Sequence, residues 1–306
     1  MKKFPLDAGF ICGVTLCLGL GSPVLASTTA TITAGVASAP AQVSASKAKL
    51  ALADTPAHVL RNVAYGPDAR HRFDAYIPAK PSGPVMFLVG GVDWAKGDKA
   101  AHDLMSRKVK HWSQRGVVVV STNYRLIPKA SPLAQATDVA KALAKAQALA
   151  TAWGADPARF VLMGHSSGAH LVTLLNTAPM LAKQQGAKPW RAAVSIDATA
   201  FDVEALMTAP HAALYDRAFG KKVEDWRAAS PYHALAEKTV PPILFLCSKL
   251  QGDACAQALH FERKASKLHH RIVIWEQFLN HRDMIRKLGD DATYTDMVDI
   301  WLRSVM

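Results

Sequence analysis

The chain has 306 residues, half of them apolar and 20% charged, with a net charge of +12 at pH 7. This composition excludes a disordered or fibrous chain and supports a substantial core, with one large domain or two small ones. Lys and Arg are scattered, with no basic patch interleaved with aromatics, so the charge describes a cationic globular protein and not a nucleic-acid binder.

The N-terminus reads as an export address. Met1-Lys2-Lys3 is followed by an apolar run over residues 10–20, and Val24-Leu25-Ala26 offers small or aliphatic side chains at a cleavage site. The run is shorter than the roughly 20 residues that span a bilayer, so no stable membrane anchor is expected after cleavage. A signal peptide over 1–26 and a secreted or periplasmic location follow as expectations. Residues 27–56 are almost all Ala, Ser, Thr, Val and Pro, which is the composition of a linker.

From about Val59 onward, short apolar runs alternate with longer amphipathic stretches. Phe73-Asp74-Ala75-Tyr76-Ile77 alternates with a period of two, as a half-buried strand should. Runs 85–89 and 117–120 are continuous and bounded by Gly or Pro, the pattern of strands buried on both faces. Residues 98–114 predict a helix between them, and 135–153 predict a second helix that stops at Gly154. Strands follow at 160–163, 192–196, 243–246 and 272–275, with a helix from Gly168 and a last one over 293–303. Such alternation implies one α/β domain over 57–306, with a mostly parallel sheet and helices on both faces. Residues 200–235 carry several Pro, His and aromatic residues and break the rhythm, as a small lid insertion would.

Gly164-His165-Ser166-Ser167-Gly168 lies between a predicted buried strand and a predicted helix. That is the setting of a nucleophile elbow, in which Ser166 is raised above the sheet edge and the Ser167 N–H faces a developing oxyanion. A serine hydroxyl needs an imidazole to take its proton and a carboxylate to orient that imidazole. Functional groups gather at the carboxyl ends of parallel strands. His281 follows the last strand, whereas His269 and His270 precede it at the opposite end. The first carboxylate after strand 243–246 is Asp253, which gives the chain order Ser166, Asp253, His281. Asp197, Asp202 and Asp283 are the competing acids.

Cys247 and Cys255 bracket the Asp253 loop and are the cysteines left beyond residue 26. In an oxidising compartment they can form a disulfide that pins this loop, or remain two buried thiols. A bridge here carries the expectation that reduction lowers activity before it unfolds the protein.

These residues resemble the esterase/lipase group of the α/β-hydrolases, which includes feruloyl- and acetyl-ester carboxylesterases and arylformamidases. The likeness runs over about residues 73–303. It rests on Phe73-Asp74-Ala75-Tyr76-Ile77-Pro78, Trp94-Ala95-Lys96-Gly97-Asp98-Lys99, Asn123-Tyr124-Arg125-Leu126, the elbow through His170, and His281 followed by Leu288-Gly289. The resemblance implies an α/β-hydrolase fold with a mostly parallel eight-stranded sheet, and a serine carboxylesterase acting on a small-molecule ester without metal or cofactor. An arylformamidase-type amide hydrolase is the alternative, and a non-catalytic binding protein of the same fold is the more distant one. The group's His-Gly-Gly-Gly-Trp segment is replaced here by Val89-Gly90-Gly91-Val92-Asp93-Trp94, so Gly91 and Val92 are the expected remaining oxyanion donors. Asp93 is out of place beside a site where negative charge develops. The basic net charge points to tolerance for acidic polymers such as plant polysaccharides.

Overall fold

A computed structural model describes residues 57–236, 240–250 and 252–306. The expected signal peptide (1–26) and the expected linker (27–56) lie outside the described residues. Eight strands form one sheet: β1 (His58–Ala64), β2 (Arg72–Ile77), β3 (Val85–Val89), β4 (Val118–Thr122), β5 (Phe160–His165), β6 (Ala192–Ile196), β7 (Ile243–Ser248) and β8 (Ile272–Gln277). Their order is β1-β2-β4-β3-β5-β6-β7-β8. Only the β1–β2 and β2–β4 pairings are antiparallel.

The continuous apolar runs are fully buried strands because both faces are covered, and alternate residues part to opposite sides. Val85, Phe87 and Val89 point into one core with α2 (Pro132–Leu149), α3 (Ser167–Thr177) and α9 (Ala254–Lys267). Met86 and Leu88 point into the other, with α1 (His102–Ser113) and α11 (Ala292–Val305). Each such side chain, once buried, contributes about 1.5–3 kcal/mol. The helix predicted to stop at Gly154 does so: α2 passes through a 3-10 turn (Ala150–Trp153), and Gly154 takes a left-handed φ of 72°.

Strand β1 has no clean alternation in sequence because its ladder slips between Leu60 and Val63, with Asn62 at φ 56°. Its edge is tied down by charge: buried Asp74 of β2 accepts from Arg61 at 3.0 Å and from Lys99 at 2.9 Å. Between β6 and β7 the irregular stretch folds into α5 (Val203–Thr208), α6 (Ala213–Phe219), α7 (Val223–Ala228) and α8 (Pro231–Ala234). The remaining helices are α4 (Pro179–Lys183) and α10 (His281–Arg286), the latter directly after β8. The strand order sets β5, β6, β7 and β8 side by side, so the loops leaving their carboxyl ends share one rim.

Candidate active site

Ser166 sits at the turn between β5 and α3 with φ 56° and ψ −125°, a backbone conformation that side chains seldom adopt. The flanking glycines make the turn sterically feasible. A Cβ on Gly164 would lie 2.3 Å from the carbonyl oxygen of Gly168, and one on Gly168 would lie 2.0 Å from that of Val89. The strain is held in place by the Ser166 N–H, which donates to Ile196 O at 2.9 Å. Ser167 is the first residue of α3, where a backbone N–H has no intrahelical acceptor. An anion above the elbow would meet that N–H and the positive end of the helix.

His281 opens α10, whose first turn is capped by the Asn280 side chain. Its Nδ1 lies 2.7 Å from Asp197 Oδ2. An ionised carboxylate only accepts, so Nδ1 carries the proton and Nε2 is left with a free lone pair. Ser166, His281 and Asp197 all line one cavity of about 270 Å³.

The expected acid, Asp253, is not the one beside the imidazole. It is exposed, at the head of α9, and its side chain caps nothing. Asp197 holds the position because β6 lies next to β7, so a carboxylate leaving either strand end can face the same histidine. The buried Asp197 is fixed to β7 twice. Its N–H donates to Leu246 O at 2.7 Å, and its Oδ1 accepts from the Ser248 N–H at 2.7 Å. Its φ of 52° places the residue in a sharp turn immediately after the strand.

The oxyanion expectation also needs correction at Val92. The Val92 N–H donates to Lys96 O at 3.0 Å, closing a tight turn, and its side chain is exposed. Gly91 is not in the cavity wall. It is instead the residue against which Tyr124 Oη and Ser167 Oγ close, since a Cβ there would lie 2.2 Å and 2.3 Å from them. Tyr124, whose phenol is pushed up to about 12 by burial, donates to Gly90 O at 2.9 Å and so supports this loop. The residues of this loop that do line the cavity are Asp93 and Trp94, both at positive φ (53° and 56°), and among the described residues their N–H groups have no backbone acceptor.

Two histidines that flank the serine hold the frame. The Nε2–H of His165 donates to the carbonyl oxygen of His281 at 2.9 Å, with the ring centroids 4.6 Å apart. Burial, and then the neighbouring His281, lower His165 to about 3, so it stays neutral while contacting the second imidazole. His170 is lowered to about 4 by burial. It accepts from Trp94 Nε1 at 3.2 Å and donates to Ala229 O at 2.8 Å, tying α3 to the turn of Trp94 and to the segment after α7. Leu214 and Tyr215 of α6 complete the wall, with Tyr215 Oη 2.7 Å from Thr199 Oγ1. No signal in the spacing pointed to Asp93 and Trp94 as residues of the cavity wall. The odd insertion before Trp94 was the one trace of them.

Cys247 and Cys255 are bonded to each other, with Cα atoms 5.1 Å apart, and join β7 to α9. The bridge therefore braces the strand end that holds Asp197, not a loop presenting Asp253. Closing so short a loop contributes about 2.5 kcal/mol on the chain-entropy account. Reduction under native conditions is expected to lower kcat/KM severalfold at temperatures where circular dichroism still reports a folded protein. Loss of both signals in a single transition would count against that role.

Comparison with known proteins places this arrangement in a family. The BD-FAE family model matches residues 73–249, more than half of the chain. The chain is 37% identical over 116 residues to a probable isoprenylcysteine alpha-carbonyl methylesterase of Oryza sativa subsp. japonica, a match covering 37% of this chain and 27% of that protein. It is 36% identical over 98 residues to the probable carboxylic ester hydrolase LipM of Mycobacterium tuberculosis, covering 31% and 22% respectively. The chain thus matches about a quarter of the length of these curated relatives. Among solved structures, a truncated carbohydrate esterase from gut microbiota superposes with a TM-score of 0.70 at 20% identity, covering 82% of this chain and 97% of that one. Esterase 2 of Thermogutta terrifontis gives 0.65 at 18% identity, covering 80% and 94%. At such identities these two establish the shared fold. The chain belongs to the BD-FAE family and folds as an α/β-hydrolase.

Proposed function

We propose that the protein is a serine carboxylesterase acting through an acyl-enzyme. The observation that carries this reading is one cavity lined by Ser166, by His281 with its Nδ1 on buried Asp197, and by Asp93, Trp94 and Ser167, whose N–H groups have no backbone acceptor among the described residues. His281 Nε2 takes the Ser166 proton as Oγ attacks the ester carbonyl carbon. The oxyanion is held by the N–H groups of Ser167 and of Asp93 or Trp94, and Asp197 stabilises the imidazolium. His281 then returns the proton to the departing alkoxide, releasing the alcohol and leaving the acyl group on Oγ. Water, deprotonated by the same Nε2, cleaves the acyl-enzyme and releases the acid. The matched relatives named as methylesterase and carboxylic ester hydrolase support an ester substrate. The disulfide supports the export expected from residues 1–26, since such bridges persist in oxidising compartments.

A fluorophosphonate probe is expected to label the wild-type protein on the peptide containing Ser166, with no labelling of Ser166→Ala. p-Nitrophenyl acetate is expected to give a higher kcat/KM than N-formylkynurenine. An unlabelled wild type would remove the catalytic reading and leave a binding protein. A preference for the formamide would make the protein an amide hydrolase using the same groups.

A further inference from the structure

The cavity contains a charge that the esterase chemistry does not use. Asp93 lines the same space as Ser166 and His281, is solvent-exposed, and makes no hydrogen bond or ion pair among the described residues. The other acid in the wall, Asp197, is buried and paired with His281. Among the described residues that line the cavity there is no Lys or Arg, although the chain as a whole carries a net +12. The molecule is therefore basic at long range and acidic at the site itself.

Nor can Asp93 readily withdraw by backbone adjustment. It sits at the tip of a turn clamped by the Val92 N–H to Lys96 O bond and by the Ala95 and Lys96 N–H groups, which both donate to Val92 O at 3.0 Å. Its left-handed φ of 53° is tolerated equally by Asn. The conformation of the turn thus accounts for a short polar residue but not for a charged one. A free carboxylate beside the groups proposed to hold the oxyanion opposes the charge developing there. It is offset when the substrate itself brings a cation. Trp94 and Tyr215, which line the same cavity, offer aromatic surface of the kind that ammonium groups favour.

We infer that Asp93 sets the charge selectivity of this site, favouring esters that carry an ammonium group over neutral ones, and disfavouring esters that carry an anion. This rests on the esterase reading and names the class of substrate within it. It also reverses the expectation drawn from net charge, which pointed to acidic polymers. Unit charges about 7 Å apart in a partly solvated cleft, at an effective dielectric of about 40, change an association roughly sevenfold.

The test is the kcat/KM of three acetate esters of similar size: acetylcholine, its neutral isostere 3,3-dimethylbutyl acetate, and 3-acetoxypropane-1-sulfonate. At about 0.02 M NaCl the wild type is expected to prefer the cation to the neutral ester, and the neutral ester to the anion, by about sevenfold each; at about 0.5 M the order compresses. In Asp93→Asn the ratios fall to within about twofold of unity, whatever happens to the absolute rates, because only the charge has changed. A wild type with flat ratios, a preference for the anion, or ratios unaltered in Asp93→Asn each overturn the inference. Turnover of the neutral ester without charge order sinks this inference alone, whereas failure of fluorophosphonate to label Ser166 sinks the esterase reading. Protection of Ser166 from the probe by choline, compared with 3-hydroxypropane-1-sulfonate, reads the same selectivity without turnover.

Discussion

Asp197→Asn is expected to lower kcat/KM on p-nitrophenyl acetate by about a thousand- to ten-thousand-fold, with Asp253→Asn expected to stay within about twofold of the wild type. The asymmetry follows from the single bond at His281 Nδ1. A carboxylate there accepts the Nδ1 proton at 2.7 Å and fixes the tautomer that leaves Nε2 able to receive the serine proton. Asn at 197 can present an N–H in its place, which favours the opposite tautomer and removes the charge that stabilises the imidazolium. The Ser248 N–H still finds an amide oxygen at position 197, so the fold survives and the loss is chemical. Asp253 is exposed at the head of α9 and touches neither partner. The reverse result, with Asp253 essential and Asp197 dispensable, would mean that the loop after β7 moves over the site in solution and that the β6 carboxylate is a structural group.

The second large effect is on stability. Gly168→Ala places a methyl group 2.0 Å from the carbonyl oxygen of Val89 and 2.7 Å from its carbonyl carbon. Both atoms are backbone of the fully buried β3, so no side-chain rotation relieves the clash, and α3 must lift off the sheet. Overpacking by one group in a dense core typically costs about 1–3 kcal/mol, and a backbone contact at this distance belongs at or above the top of that range. For a domain of this size that is a fall in Tm of roughly 6–12 °C, measurable by scanning calorimetry. A wild-type Tm for Gly168→Ala would show that the helix does not approach β3 so closely.

The comparison of sequence with fold divides along physical lines. Buried parallel strands were legible because continuous apolar runs such as 85–89 and 192–196 have no other economical use, and the structure places strands at those residues. β1 was illegible because its bulge at Asn62 breaks the alternation that marks a strand. The elbow was readable because its glycines are demanded by steric contacts only a few residues apart. That His281 stands at the same cavity as Ser166 was legible from topology alone. The carboxylate beside it was not, because the rule that a carboxylate follows β7 depends on chain order, whereas the imidazole responds only to what lies beside it in space. Val92 failed for a different reason: whether an N–H is free depends on a turn closed by Lys96, which no spacing records. The stretch over 200–235 read as irregular because helices of four to seven residues are too short to display a period.

The neutral imidazole of His170 reaches the indole of Trp94 on one side and the carbonyl of Ala229 on the other. A single buried ring thereby splices the Trp94 turn, helix α3 and the α5–α8 segment into one body. Swinging that segment aside would strand two polar atoms in a dry interior, a penalty of about 1–3 kcal/mol apiece. On the esterase reading, substrates are then expected to meet a mould that is already set, and discrimination among acyl groups is expected to be steep.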